Sequence, residues 1–104
     1  MTDRLTGAQR RYLRALGQRL TVTLQVGHDG VSNAVVQQAD ALLEARELVK
    51  IRVGDNAPED RHVTAEALAA RTRAHVAQVI GRTALLYRRR AEEPAIVLPV
   101  GPRG

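Results

Sequence analysis

Thr21-Val22-Thr23-Leu24-Gln25-Val26-Gly27-His28-Asp29-Gly30-Val31-Ser32 holds a strand, a turn and the start of a helix in one short run. Val22, Leu24 and Val26 alternate with Thr21, Thr23 and Gln25, the period of a half-buried strand. Gly27 and Gly30 then stand three apart, where backbone without side chains can come close to a ligand. Ser32 is a good N-cap, and Val35, Val36, Ala39, Leu42 and Leu43 give the following helix an apolar face. The N–H groups at such a helix start attract an anion.

On the N-terminal side, Thr6 and Gln9 have capping-box spacing, and Leu13, Leu16 and Leu20 recur at helical intervals. A first helix from about Gly7 to Gly17 is expected, with Arg10, Arg11 and Arg14 off the leucine stripe. On the C-terminal side, Leu48 to Val53 reads as a second strand. Val49, Ile51 and Val53 point one way, Lys50 and Arg52 the other. Gly54-Asp55-Asn56-Ala57-Pro58 is a turn, and Asn56 with Glu59 repeats a capping pattern. A third helix to about Arg73 is expected to bury Val63, Ala67 and Ala70, with Leu68 at its edge. His75–Ile80 and Thr83–Arg88 make a hairpin around Gly81-Arg82, a loop suited to a type II′ turn.

The order α-β-α-β-α-β-β implies an α/β open sandwich, a four-stranded mixed sheet with helices packed on it. Residues 1–90 are expected to form one domain. Residues 91–104 read as a tail, in which Ile96-Val97-Leu98-Pro99 is apolar enough to dock back on the body.

The chain has 104 residues, no Cys, Phe or Trp, and only Tyr12 and Tyr87 as aromatics. Its core must be aliphatic, and absent cysteine removes disulfides and thiolate chemistry. No signal-peptide pattern or membrane-length apolar run is present, so a cytoplasmic protein with no membrane partner is expected. The net charge is +5, and it is segregated: +4 over residues 1–20, −2 over 21–80 and +3 over 81–104. If the first helix lies near the last hairpin, the basic ends become one patch able to hold a polyanion, with RNA phosphate the first candidate. Arg82 and the run Arg88-Arg89-Arg90 have no acid between them; they read either as RNA contacts or as protection of a sheet edge. Arg10, Arg11 and Arg14 fit a solvated helix face or an RNA-binding one. Lys50 projects with Arg52 from an outward strand face.

Enzymatic readings find little material. His28, His62 and His75 lack metal-ligand spacing, Ser32 is the sole serine, and its hydroxyl is engaged as a cap. No metal, cofactor or small-molecule substrate is expected. With so few aromatics, recognition should rest on phosphates, 2′-hydroxyls and shape, which favours structured RNA.

Six segments together resemble the CRM (chloroplast RNA splicing and ribosome maturation) family, as in YhbY-like bacterial proteins. They are Thr6–Leu13, Val26–Ser32, Leu48–Ile51, Val79–Thr83, Leu85–Arg88 and Ile96–Pro99. The resemblance implies a fold similar to the C-terminal domain of translation initiation factor three. It also implies a non-enzymatic protein that binds ribosomal RNA in large-subunit precursors. Its G-x-x-G loop would work as in KH domains, making Gly27 and Gly30 the hinges and His28 and Asp29 the tip. Asp29 departs from the basic or neutral residue common there: either it turns away to cap the Ser32 helix, or the loop contributes less. Gly30→Asp is expected to spare the fold and weaken binding. Two rival readings are a general nucleic-acid-binding module and an Arg-rich adaptor for an acidic protein.

Overall fold

The computed structural model describes residues 4–100, so Met1-Thr2-Asp3 and the last four residues of the expected tail, with Arg103, lie outside it. The elements follow the expected order: α1 (Gly7–Gly17), β1 (Val22–Val26), α2 (Asn33–Arg46), β2 (Leu48–Val53), α3 (Arg61–Thr72), β3 (His75–Ile80) and β4 (Thr83–Tyr87). Local chemistry sets the boundaries. Thr6 and Gln9 form both bonds of the capping box at 3.0 Å, and Ser32 Oγ accepts from Val35 N at 3.2 Å. Gly81 has φ 56°, the positive value a type II′ turn needs at its first central position.

The sheet runs β1-β2-β4-β3, with β1 parallel to β2 and the other two pairs antiparallel. Strand alternation divides the interior in two. Val49, Ile51, Val53, Ala84 and Leu86 join Ala39 and Leu43 of α2 and Ala65, Leu68 and Ala69 of α3 in one core. Their neighbours Leu48, Leu85 and Tyr87 turn to the other face and meet Leu5, Leu13 and Ala77, with Leu16, Leu20, Ile96 and Leu98 packed on them. Helices α2 and α3 therefore cover one face of the sheet, and α1 with the 96–98 segment covers part of the other. At its last turn α1 lies so close to β4 that a Cβ on Gly17 would stand 2.4 Å from Leu85 Cδ1.

Helix α3 departs from expectation. Asp60, not Asn56, caps it, accepting from Val63 N at 2.9 Å. That bond chiefly, against the effect of burial and aided by His62 and Arg61, holds the Asp60 carboxyl below its ordinary range. The buried face is Thr64, Ala65, Leu68, Ala69 and Thr72, while Val63 is 48% exposed and Ala70 lies outside. The threonines can turn inward because each hydroxyl donates to a carbonyl nearby, Thr64 to Glu59 O (3.2 Å) and Thr72 to Leu68 O (2.8 Å). Leu68, the largest aliphatic of the helix, then lies at the centre of its face.

Candidate nucleic-acid interface

The register places the C-terminal ends of β1, β2 and β3 beside the start of β4, so three turns share one end of the sheet. They are the Gly27–Gly30 loop, the Gly54–Pro58 turn and the Gly81-Arg82 tip. Gly54 N donates to Val26 O (2.9 Å), Val53 N donates to Arg82 O (2.7 Å), and Arg82 pairs with Asp55 at 2.7 Å. Gly30 N donates to Gly27 O at 2.9 Å, closing a tight turn.

The two loop glycines differ. Gly30 is buried with φ 63°, and a Cβ there would stand 3.0 Å from Pro58 Cγ. A side chain at Gly30 would strain the turn, so Gly30→Asp is expected to cost some stability as well as to alter the loop. Gly27 has ordinary φ, and a Cβ there would meet nothing closer than the Asn56 side chain, 3.9 Å away. His28 and Asp29 form the exposed tip, Nε2 to Oδ1 3.2 Å apart. Asp29 does not cap α2; Ser32 does.

Arg10, Arg11 and Arg14 are exposed along α1, which carries no acid. Lys50, half-buried, and Arg52, exposed, share the α1 side of the sheet. Helix α1 and the four strands together hold these five cations and no Asp or Glu. None of the five has an ion pair among the described residues. Near the start of α1, Arg4 and Arg89 flank a groove of about 480 Å³ with Tyr87 in its wall.

The run Arg88-Arg89-Arg90 is not one patch. Arg88 reaches α2 and α3, donating to Asp40 Oδ1 (2.6 Å), Thr72 O (2.9 Å) and Glu44 Oε1 (3.3 Å). Arg90 donates to Ala45 O (3.0 Å) and Glu93 O (2.7 Å). Only Arg89 of the three is exposed.

Glu47 belongs to no motif in the sequence. It is wholly buried, with φ 66°, and its carboxylate accepts from Arg90 N, Ala95 N and Ile96 N, each at 2.8 Å. Burial opposes its ionisation, but those donors and the Arg90 charge outweigh it and hold the carboxyl below its ordinary value. Burial first, then the Glu47 charge, raise the Tyr87 phenol, against a lowering by Arg89. Among the described residues no three His, Cys, Asp or Glu side chains gather where a metal could sit, and no helix is long and apolar enough to cross a membrane.

Residues 5–88 match the CRS1 / YhbY (CRM) domain model. The chain is 43% identical over 95 residues to "Probable RNA-binding protein YqeI" of Bacillus subtilis, covering 91% of this chain and 99% of that protein. It is 30% identical over 95 residues to a Haemophilus influenzae protein named "RNA-binding protein", covering 91% and 95%. The solution structure of the hypothetical protein SAV1595 from Staphylococcus aureus superposes with a TM-score of 0.79 at 40% identity, covering 92% of this chain and all of that one. The family model and these relatives agree, and the chain belongs to the CRS1/YhbY (CRM) domain family.

Proposed function

We propose that this chain is a non-enzymatic RNA-binding protein that holds structured ribosomal RNA during assembly of the large ribosomal subunit. One observation carries the reading: α1 and the sheet present five Lys and Arg side chains with no acid among them. Such a face attracts phosphate and gives up little of that attraction to internal pairing. Relatives named as RNA-binding proteins support the same partner. In this reading the Gly27–Gly30 turn sets its tip against the RNA backbone, with His28 as donor. Arg10, Arg11, Arg14 and Lys50 neutralise phosphates beside α1, and Arg89 extends the contact past its N-terminus. Arg82 contributes from the hairpin tip when its pair with Asp55 opens. Arg88 and Arg90 act indirectly, by fixing the backbone that presents Arg89. The assembly role rests on the family resemblance.

Sedimentation of tagged protein from growing cells through a sucrose gradient, with and without RNase, tests this. A peak on large-subunit precursors that collapses with RNase is expected. Protein at the top of the gradient in both samples would refute the assembly role. Equal affinity of purified protein for duplex DNA and structured RNA would favour a general nucleic-acid module.

A further inference from the structure

We infer that a row of side chains across the end of the sheet, Gln25, Arg52, Thr83 and Ile80, reads the bases of an unpaired RNA segment beside the Gly27–Gly30 turn. The inference rests on the RNA-binding reading and adds base discrimination to it. The pairing register sets Gln25 opposite Arg52, Arg52 opposite Thr83, and Thr83 opposite Ile80. The four residues therefore form one line across all four strands, about 15 Å long at ordinary strand spacing.

All four point to the α1 side, because their chain neighbours Val26, Ile51, Ala84 and Val79 face the α2/α3 core. Helix α1 does not cover them. Its last turn packs on Leu85, two residues along β4 from Thr83, and Gln25, Arg52 and Ile80 remain exposed, Ile80 at 61%. Gln25 also abuts the turn region: its Nε2 lies 3.7 Å from where a Cβ of Gly54 would stand.

The chemistry of the row differs from that of α1. Helix α1 presents arginines alone on its exposed basic face, a single kind of donor. Here a carboxamide and a guanidinium, each able to bond a base edge with two hydrogen bonds, stand beside a hydroxyl and an aliphatic surface. Neither Gln25 nor Arg52 has a side-chain hydrogen-bond partner among the described residues, and the Thr83 hydroxyl donates to Ile80 O at 3.0 Å, which leaves its lone pairs as acceptors. No strand carries an acid to repel the attached backbone. Unpaired bases, whose edges and faces are both open, match such a row better than a duplex does.

The test measures affinities of the full chain for four fluorescent RNA hairpins that differ only in a loop of A, C, G or U. The wild type should separate its best from its worst loop by about 10-fold or more, the discrimination of one good base contact. Gln25→Ala with Ile80→Ala should shrink that spread to under about 3-fold while leaving affinity for the worst loop nearly unchanged. Arg52→Lys, which keeps the charge and loses the fork, should narrow the spread without altering the salt dependence. All three sites are exposed, and thermal unfolding checks that each variant folds. A wild type without loop preference, or variants that keep the full spread, would overturn the row and leave RNA binding standing. A wild type that binds none of the hairpins, yet takes up an acidic protein, would overturn both.

Discussion

The two faces of the sheet carry charge in different ways. On the α2/α3 face, Asp40, Glu44 and Glu66 balance Arg46, Arg61 and Arg71 within the helices. Two of those acids also receive Arg88 from the end of β4. On the other side, α1 carries three cations and β2 two, with no acid in either element, and α1 is held by a capping box and the bond from Gln9 Nε2 to Pro99 O (3.1 Å). Arg88 with Asp40 and Glu44, and Arg71 with Asn33, tie charge on the first face to the fold, whereas the five cations on the second have no ion pair among the described residues. Residues of one type, even adjacent ones such as Arg88 and Arg89, thus belong to different tasks according to the direction in which the strand end points them.

Glu47→Gln should have the largest effect on stability. An amide in place of the carboxylate weakens the grip on three backbone N–H groups, and a loss of about 2–3 kcal/mol is expected in denaturant unfolding. The pH dependence has a definite sign. The folded carboxyl is held below its ordinary value of 4.5, so its contribution is full above about pH 4.5 and is lost as pH falls through the folded value. The wild type should lose stability across that acid window, and Glu47→Gln should flatten the slope there. Persistence of the full slope in the variant would assign acid sensitivity to other carboxylates.

Arg88→Ala should cost about 1–2 kcal/mol, since the side chain is only 19% exposed and its loss leaves the buried Thr72 O without that donor, while the exposed Asp40 and Glu44 carboxylates return to water. RNA affinity of the folded fraction should barely change. A variant of normal stability and weakened RNA binding would place Arg88 on the binding side and break the contrast between the faces.

Within the glycine turn, Gly30→Ala should destabilise by about 1 kcal/mol, because φ 63° disfavours a side chain and Pro58 stands in its way. Gly27→Ala should fold almost unperturbed, within about 0.5 kcal/mol. Gly27 is thus the position at which RNA affinity can be read apart from stability. Equal unfolding midpoints for the two variants would contradict the geometry of the turn.

The element order and most boundaries are readable in the sequence because their signals are local. Thr6 with Gln9 starts α1, Ser32 starts α2, and alternation marks β1 and β2. The buried face of α3 escapes such reading because threonine counts as polar in a periodicity argument, yet Thr64 and Thr72 satisfy their hydroxyls on nearby carbonyls and go inside. Arg88 is legible as basic, but its partners Asp40 and Glu44 lie more than forty residues away in the chain. Glu47 gives no signal at all, since its role depends on a positive φ and on a tail segment that returns to it. The row from Gln25 to Ile80 likewise depends on strand register, which no single segment contains.

The central claim is that RNA lies on the α1 face, and two variants of equal charge change test it most directly. Arg10, Arg11 and Arg14 are replaced by Ala in one, and Arg46, Arg61 and Arg71 in the other, so that both lose three positive charges. The salt dependence of RNA affinity is then compared. The α1 variant should lose about 2–3 units of slope, at ~0.7–0.9 per phosphate contact, and the α2/α3 variant less than about 1. Equal losses, or a larger loss in the α2/α3 variant, would show that net charge alone or the opposite face holds the RNA.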